Sequence, residues 1–162
     1  MEQAVDTLIA LPLLKRYMPG LDEQAGKKLF CQHLQKYINI YKSDCVFEII
    51  YTNRYIRPYE ATVRARRSIT AQQTIPYLTG TYVSMTDEQE KNLRRIGKDF
   101  SVVESSNKKR LSVFLGPARF INHDCKPNAH LVVGANRQMS VVANRYIPKD
   151  TEITIYRAID HV

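Results

Sequence analysis

With 162 residues, 44% of them apolar and 25% charged, the chain has the size and composition of one compact globular domain with its own core. A formal net charge of +8 draws in phosphate backbones and acidic surfaces, although a charge run is in most cases simply a solvated face. The three cysteines, Cys31, Cys45 and Cys125, form no CxxC pair, no leader segment stands out, and no apolar run approaches the roughly 20 residues that span a bilayer, so an intracellular, reduced, non-membrane setting is expected.

The first expected element is a helix from Glu2 to about Ala10. From Leu21 to Tyr41, residues Leu21, Ala25, Leu29, Leu34, Tyr37, Ile38 and Tyr41 recur at three- and four-residue spacing, which predicts one apolar face of an amphipathic helix. Beyond Asp44 the period changes to two. Ala61, Val63 and Ala65 alternate with Thr62, Arg64 and Arg66, as in a half-buried strand.

Further strands are expected at Val46 to Tyr51, Thr74 to Ser84, Leu111 to Leu115, Leu131 to Val133, Met139 to Ala143 and Glu152 to Tyr156. Gly134 to Arg137 reads as a hairpin loop, and Ile147 to Asp150 as the turn before the last strand. Met85 to Ile96 reads as a helix with Thr86 as N-cap and Glu88 and Gln89 in the first turn. Helices followed by many short strands predict an α+β domain, with a helical region over residues 1–45 and a strand-rich region from 46 onward. Positive charge gathers at Arg54, Arg57, Arg64, Arg66 and Arg67, and again between Arg94 and Arg119.

Chemistry-bearing residue types concentrate in Gly116-Pro-Ala-Arg-Phe-Ile-Asn-His-Asp-Cys-Lys-Pro-Asn128, several short polar groups at the end of an apolar strand. By residue type alone, His123 and Cys125 are compatible with metal ligation, with a nucleophile and its base, or with a buried thiol and a satisfied imidazole. A closed zinc site requires four ligands, and Cys31 and Cys45 lack paired spacing.

The run Arg119 to Asn128 resembles the NHxCxPN signature of SET-domain lysine methyltransferases. Phe30-x-x-His-Leu-x-x-Tyr37, Phe47-Glu48, Thr52-Asn-Arg-Tyr55, Asp99-Phe-Ser101 and Leu115-Gly-Pro117 extend the similarity to the class acting on lysine 20 of histone H4, including fungal members, from about Phe30 to Tyr156. The resemblance implies a SET-type fold of short β-sheets behind N-terminal helices, with the last strand forming a C-terminal pseudoknot against the signature, a rare exception to unthreaded connections. It also implies the further division into a domain over 46–157 and a short tail over 158–162. It further implies S-adenosylmethionine as cofactor, bound at positions matched by Asn122, His123, Tyr55 and Ala61, with Ser101 facing the substrate amine. Histone H4 in the nucleosome would be the partner, with non-specific DNA contact through the basic surface, in the chromatin of the nucleus.

Two departures from the family pattern carry weight. The last strand of such domains ends Glu-Leu/Ile-Thr/Ser-x-x-Tyr with a catalytic tyrosine, whereas Glu152-Ile-Thr-Ile-Tyr-Arg157 puts arginine there and makes Tyr156 the substitute candidate, one residue early. The family's post-SET CxCxxC cysteines, which join the residue matched by Cys125 around zinc, have no counterpart before Val162, so zinc is expected in the family and not in this chain. Three readings follow: an active methyltransferase, a catalytically dead chromatin-binding module, and a fragment of a longer enzyme.

Overall fold

The computed structural model describes residues 2–16, 25–53, 60–97, 102–105, 110–134 and 138–157. Residues Met1–Cys45 and Val46–Val162 form two compact units. In the first, α1 (Glu2–Ile9), α2 (Pro12–Lys15) and α3 (Ala25–Ile38) are followed by a 3₁₀ turn at Asn39–Tyr41. Pro12 opens α2, a position where its missing N–H costs nothing. The expected apolar face of α3 is shifted. Phe30, Leu34, Tyr37 and Ile38 are half-buried and Ile40 is buried, while Leu29 and Tyr41 are 66% and 85% exposed. Leu29 lies about 100° around the helix from Phe30, and tightening to three residues per turn at Asn39 rotates Tyr41 off the stripe.

The second unit contains β1 (Phe47–Thr52), β2 (Glu60–Ala65), β3 (Thr74–Ser84), α4 (Asp87–Arg95), β4 (Val102–Ser105), β5 (Arg110–Leu115), β6 (Asn122–His123), β7 (Ala129–Val133), β8 (Gln138–Ala143) and β9 (Thr154–Ile155). β1 and β2 form an antiparallel pair, β4-β5-β3-β8-β7 a five-stranded antiparallel sheet, and β6 and β9 a two-residue parallel pair. The mixed helix and strand class is as expected. β4 lies outside the expected strands, four residues being too short a run to show a period. Helix α4 has a complete capping box: Thr86 Oγ1 accepts from the Gln89 N–H, and the Gln89 side chain accepts from the Thr86 N–H.

The core is apolar and β-branched, with Phe47, Val63, Ile69, Ile75, Leu78, Val141, Ile147, Ile153 and Ile155 essentially inaccessible. Two glycines admit it. A Cβ on Gly80 would lie 2.2 Å from Phe114 Cζ, and Gly116, at φ +98°, lets the chain pass Thr79 O on its way from β5 to the 3₁₀ turn Pro117–Phe120. In β3 the register shifts between Thr74 and Thr79, and Tyr77 adopts φ +66° in that irregular stretch. The predicted alternation of β2 is broken at one place: Thr62, expected on the exposed face, is only 5% exposed, because the Glu152 carboxylate sits over its hydroxyl.

Candidate functional site

The signature is positioned by the β5–β6 connection. After β5 the chain makes the Gly116 turn and the 3₁₀ turn, and Ile121, buried in the core, delivers Asn122 and His123 to β6. β6 pairs in parallel with β9, Asn122 opposite Thr154 and His123 opposite Ile155, and the Asp124 N–H donates to Ile155 O at 3.0 Å. Strand alternation then directs the His123 main-chain N–H and C=O to the edge away from β9. Just before β9 the same C-terminal segment is tied to β2: the Ala65 N–H donates to Thr151 O and the Ile153 N–H to Val63 O, at 2.9 and 2.8 Å. The pairing that a pseudoknot at the signature requires is therefore present.

Two-residue strands carry little ladder energy, and side chains supply the rest. Asn128, 6% exposed, donates Nδ2–H to Glu152 O at 2.7 Å and accepts at Oδ1 from the Thr154 N–H at 2.9 Å. Glu152 Oε1 accepts from Thr62 Oγ1 at 2.5 Å and from Asn122 Nδ2 at 2.8 Å. Satisfied hydrogen bonds of this kind contribute about 1 kcal/mol each, while stranding one buried partner costs roughly 1–3 kcal/mol. Neither Glu152 nor Thr62 is among the site residues expected from the sequence. The available signal was a carboxylate opening an apolar terminal strand, Glu152-Ile-Thr-Ile.

His123 is oriented from both sides. The Arg157 main-chain N–H donates to Nδ1 at 3.0 Å, which leaves the ring proton of the neutral imidazole on Nε2, 3.4 Å from Cys125 Sγ. The Tyr156 ring packs edge-on against the imidazole, centroids 5.3 Å apart, and Tyr156 is 64% exposed. The Arg157 guanidinium donates to Arg119 O at 2.9 Å and contributes a field at Tyr82, whose hydroxyl pKa is nevertheless pushed up by burial.

Of the expected site residues, the structure brings together Asn122, His123, Cys125 and Tyr156, and Glu152 connects Asn122 to Thr62, the neighbour of Ala61 in β2. Ala61 is half-buried opposite Tyr51. Tyr55, Ser101 and the tail from 158 to 162 lie outside the described residues. Donors and acceptors suited to S-adenosylmethionine are present, namely the Asn122 amide and the outward main-chain edge of His123. Zinc is less well served. Cys125 and His123 make two donors, and among the described residues no three His, Cys, Asp or Glu side chains gather, so no four-ligand site is composed there.

The basic stretch around β2 is in part internally neutralised. Arg64 donates from Nε and a terminal nitrogen to Glu48 Oε1, at 2.8 and 2.6 Å, and Arg66 Nε lies 3.5 Å from Oε2. Hydrogen bonding from Arg64, aided by both guanidinium charges, holds the Glu48 carboxyl below its ordinary pKa despite the opposing effect of burial. No helix among the described residues is long and apolar enough to cross a membrane.

The SET-domain family model matches residues 38–156. Over 160 residues, 98% of this chain, the sequence is 48% identical to the histone-lysine N-methyltransferase SET9 of Phaeosphaeria nodorum, and over 155 residues it is 49% identical to the set9 protein of Aspergillus fumigatus. The chain spans only about a quarter of the length of those curated relatives, 24% and 25%. Its fold is similar to that of a Plasmodium falciparum chain solved as a candidate histone methyltransferase, with a TM-score of 0.51, 23% identity, and 70% of this chain and 94% of the other covered.

Proposed function

The chain belongs to the SET-domain family, and on that premise we propose that it is the SET region of an S-adenosylmethionine-dependent protein-lysine methyltransferase acting on lysine 20 of histone H4 in nuclear chromatin. The observation that supports this best is the clamp of Asn122 and His123 against the C-terminal strand through Glu152 and Asn128. Asn122 and His123, with Ala61 and Tyr55, are the residues proposed to hold the cofactor. When bound, S-adenosylmethionine supplies a methyl group on a positive sulfonium, open to in-line attack by a neutral amine.

The task of the protein's own residues is to orient that amine and keep water out. A lysine of pKa ~10.4 costs about 4.6 kcal/mol to deprotonate at pH 7, which a narrow, poorly solvated channel lowers. Tyr156 and Ser101 are the hydroxyls proposed to border the amine. Arg157, in the place of the family's tyrosine, adds a positive charge near a lysine that must shed one, and so supports a second reading: a chromatin-binding module with very weak turnover. In either case the nucleosome is the proposed partner. DNA contact would use cations other than the Glu48-bound Arg64 and Arg66.

Differential scanning calorimetry with millimolar S-adenosylmethionine tests the cofactor: a ligand that binds only the native chain raises Tm, and a folded chain with unmoved Tm would exclude the proposal. Radiolabelled methyl transfer to nucleosomes separates the two readings. Incorporation at H4 lysine 20 supports the enzyme, and nucleosome binding without incorporation the module.

A further inference from the structure

β7 is the last strand of the five-stranded sheet, and its outer side is open. The Asn144 N–H donates to Asn128 O at 2.8 Å and the Gly134 N–H to Gln138 O at 2.7 Å, which sets the phase of the β7–β8 ladder. In an antiparallel pair such bonds recur at every second residue, so His130 and Val132 face β8, and Leu131 and Val133 turn their main-chain N–H and C=O to the other side. Among the described residues nothing pairs with those groups. β9 closes the start of the strand, where Asn128 bonds Thr154 and Ala129 is inaccessible. The side chains match this opening. Val141 and Met139, on the same face as their opposites Leu131 and Val133, are buried, yet Leu131 is half-buried and Val133 is 68% exposed, so the apolar face runs out into solvent here. Native edge strands are usually protected by a lysine, a proline or a bulge. Leu131-Val-Val133 has none of these, and its register with β8 is unbroken.

We propose that this edge is a docking site for an extended segment of a partner protein, one with apolar residues at alternate positions flanked by carboxylates, which adds a strand to the sheet. The N–H and C=O groups of Leu131 and Val133 supply the hydrogen bonds, and the partner's alternate apolar side chains cover Leu131 and Val133. Charge chooses the partner. Between Asp124 and Asp150 the chain holds Lys126, Arg137, Arg145 and Lys149 and no acidic residue. Arg145, itself exposed, is held beside the start of β7, where its guanidinium donates to Pro127 O and Lys126 O. A positive rim attracts carboxylates and repels a lysine-rich tail, so the occupant is distinct from the proposed histone substrate. A second copy fits poorly: it brings +8 against +8, and three residues of edge fall far short of the ~1,000 Å² that a stable interface buries. Duplex DNA would use the cations and leave the apolar edge wet.

The probe is a capped peptide, Asp-Val-Thr-Val-Thr-Val-Asp, compared with a counterpart carrying lysine in place of aspartate, and the readout is amide hydrogen exchange on the 162-residue chain. At a Kd of roughly 10⁻⁴ M, about 1 mM acidic peptide should slow exchange at Leu131 and Val133 about tenfold, and leave His130 and Val132, already bonded to β8, unchanged. The lysine peptide should leave all four unchanged. Val133→Pro removes an outward N–H and no bond to β8, so the variant should keep its Tm and bind the acidic peptide roughly tenfold more weakly. Should that variant fail to fold, the peptide itself decides: N-methylation of one alternate set of its amides should abolish the protection, and N-methylation of the other set should not. The proposal is overturned if neither peptide protects the two amides, if the lysine peptide protects them as well as the acidic one, or if binding ignores both Val133→Pro and N-methylation. Protection that grows with protein concentration in the absence of peptide would also overturn it, by assigning the edge to a second copy. Protection of the same two amides by a short DNA duplex would do so by assigning it to nucleic acid.

Discussion

The five-stranded sheet and the small assembly of β2, β6 and β9 solve the same problem in opposite ways. β3, eleven residues long, is flanked by β5 and β8, with Leu78 and Val141 buried and backbone ladders along both edges. β6 and β9 share two residue pairs, and their place is set by individual polar side chains: Asn128, Glu152, Asn122 and Thr62. Apolar burial is non-directional and spread over many atoms, so it tolerates small changes of shape. Hydrogen bonds are directional, and a single atom can decide them.

Function is the most sensitive readout of that difference. Arg157 closes the polar assembly, with its N–H on His123 and its guanidinium on Arg119 O. Arg157→Tyr should raise radiolabelled methyl transfer to nucleosomes by roughly 10²–10³, the usual worth of one preorganised polar group. An unchanged rate would move the catalytic role elsewhere, and loss of transfer in Tyr156→Phe would assign it to Tyr156.

Stability should show the next largest effect. Asn128→Ala strands the buried Thr154 N–H and the Glu152 carbonyl together, and should cost about 3 kcal/mol in urea unfolding. In the sheet, Ile75→Val removes one methylene from an equally buried site and should cost only about 1 kcal/mol. If the two losses proved equal, the distinction between the regions would fail.

The smallest effect belongs to Glu48 on the β1–β2 surface. Its lowered folded pKa means that the unfolded chain takes up a proton there more readily than the folded chain. The stabilisation is therefore complete above the ordinary carboxylate range and is lost as the pH falls through the lowered value. Glu48→Gln should cost under about 1 kcal/mol at pH 7, because the three side chains are 24–38% exposed and screened, and nothing once Glu48 is protonated. Denaturant midpoints for both chains across that pH range measure it.

How much of this was legible in the sequence follows the same division. The span of β3, the Thr86 cap of α4 and the β7–β8 pairing could be read because local period and turn chemistry determine them. The candidate site was visible as residue types, Asn122, His123, Cys125 and Asn128, because such a run of short polar groups at a strand end is rare. What lay beyond reading was which of them meet. Thr62 and Glu152 are 90 positions apart and Asn122 and Glu152 are 30 apart, so no periodicity connects them. Most of the longer strands, the helix cap and the signature are readable from the chain alone, since each depends on neighbours within a few residues, whereas the short β4 and β6 are not. The burial of Thr62, the pairing of Arg64 and Arg66 with Glu48 and the hold of one carboxylate on Asn122 emerge on folding, since side-chain hydrogen bonds act over 3 Å in space and are blind to distance along the chain.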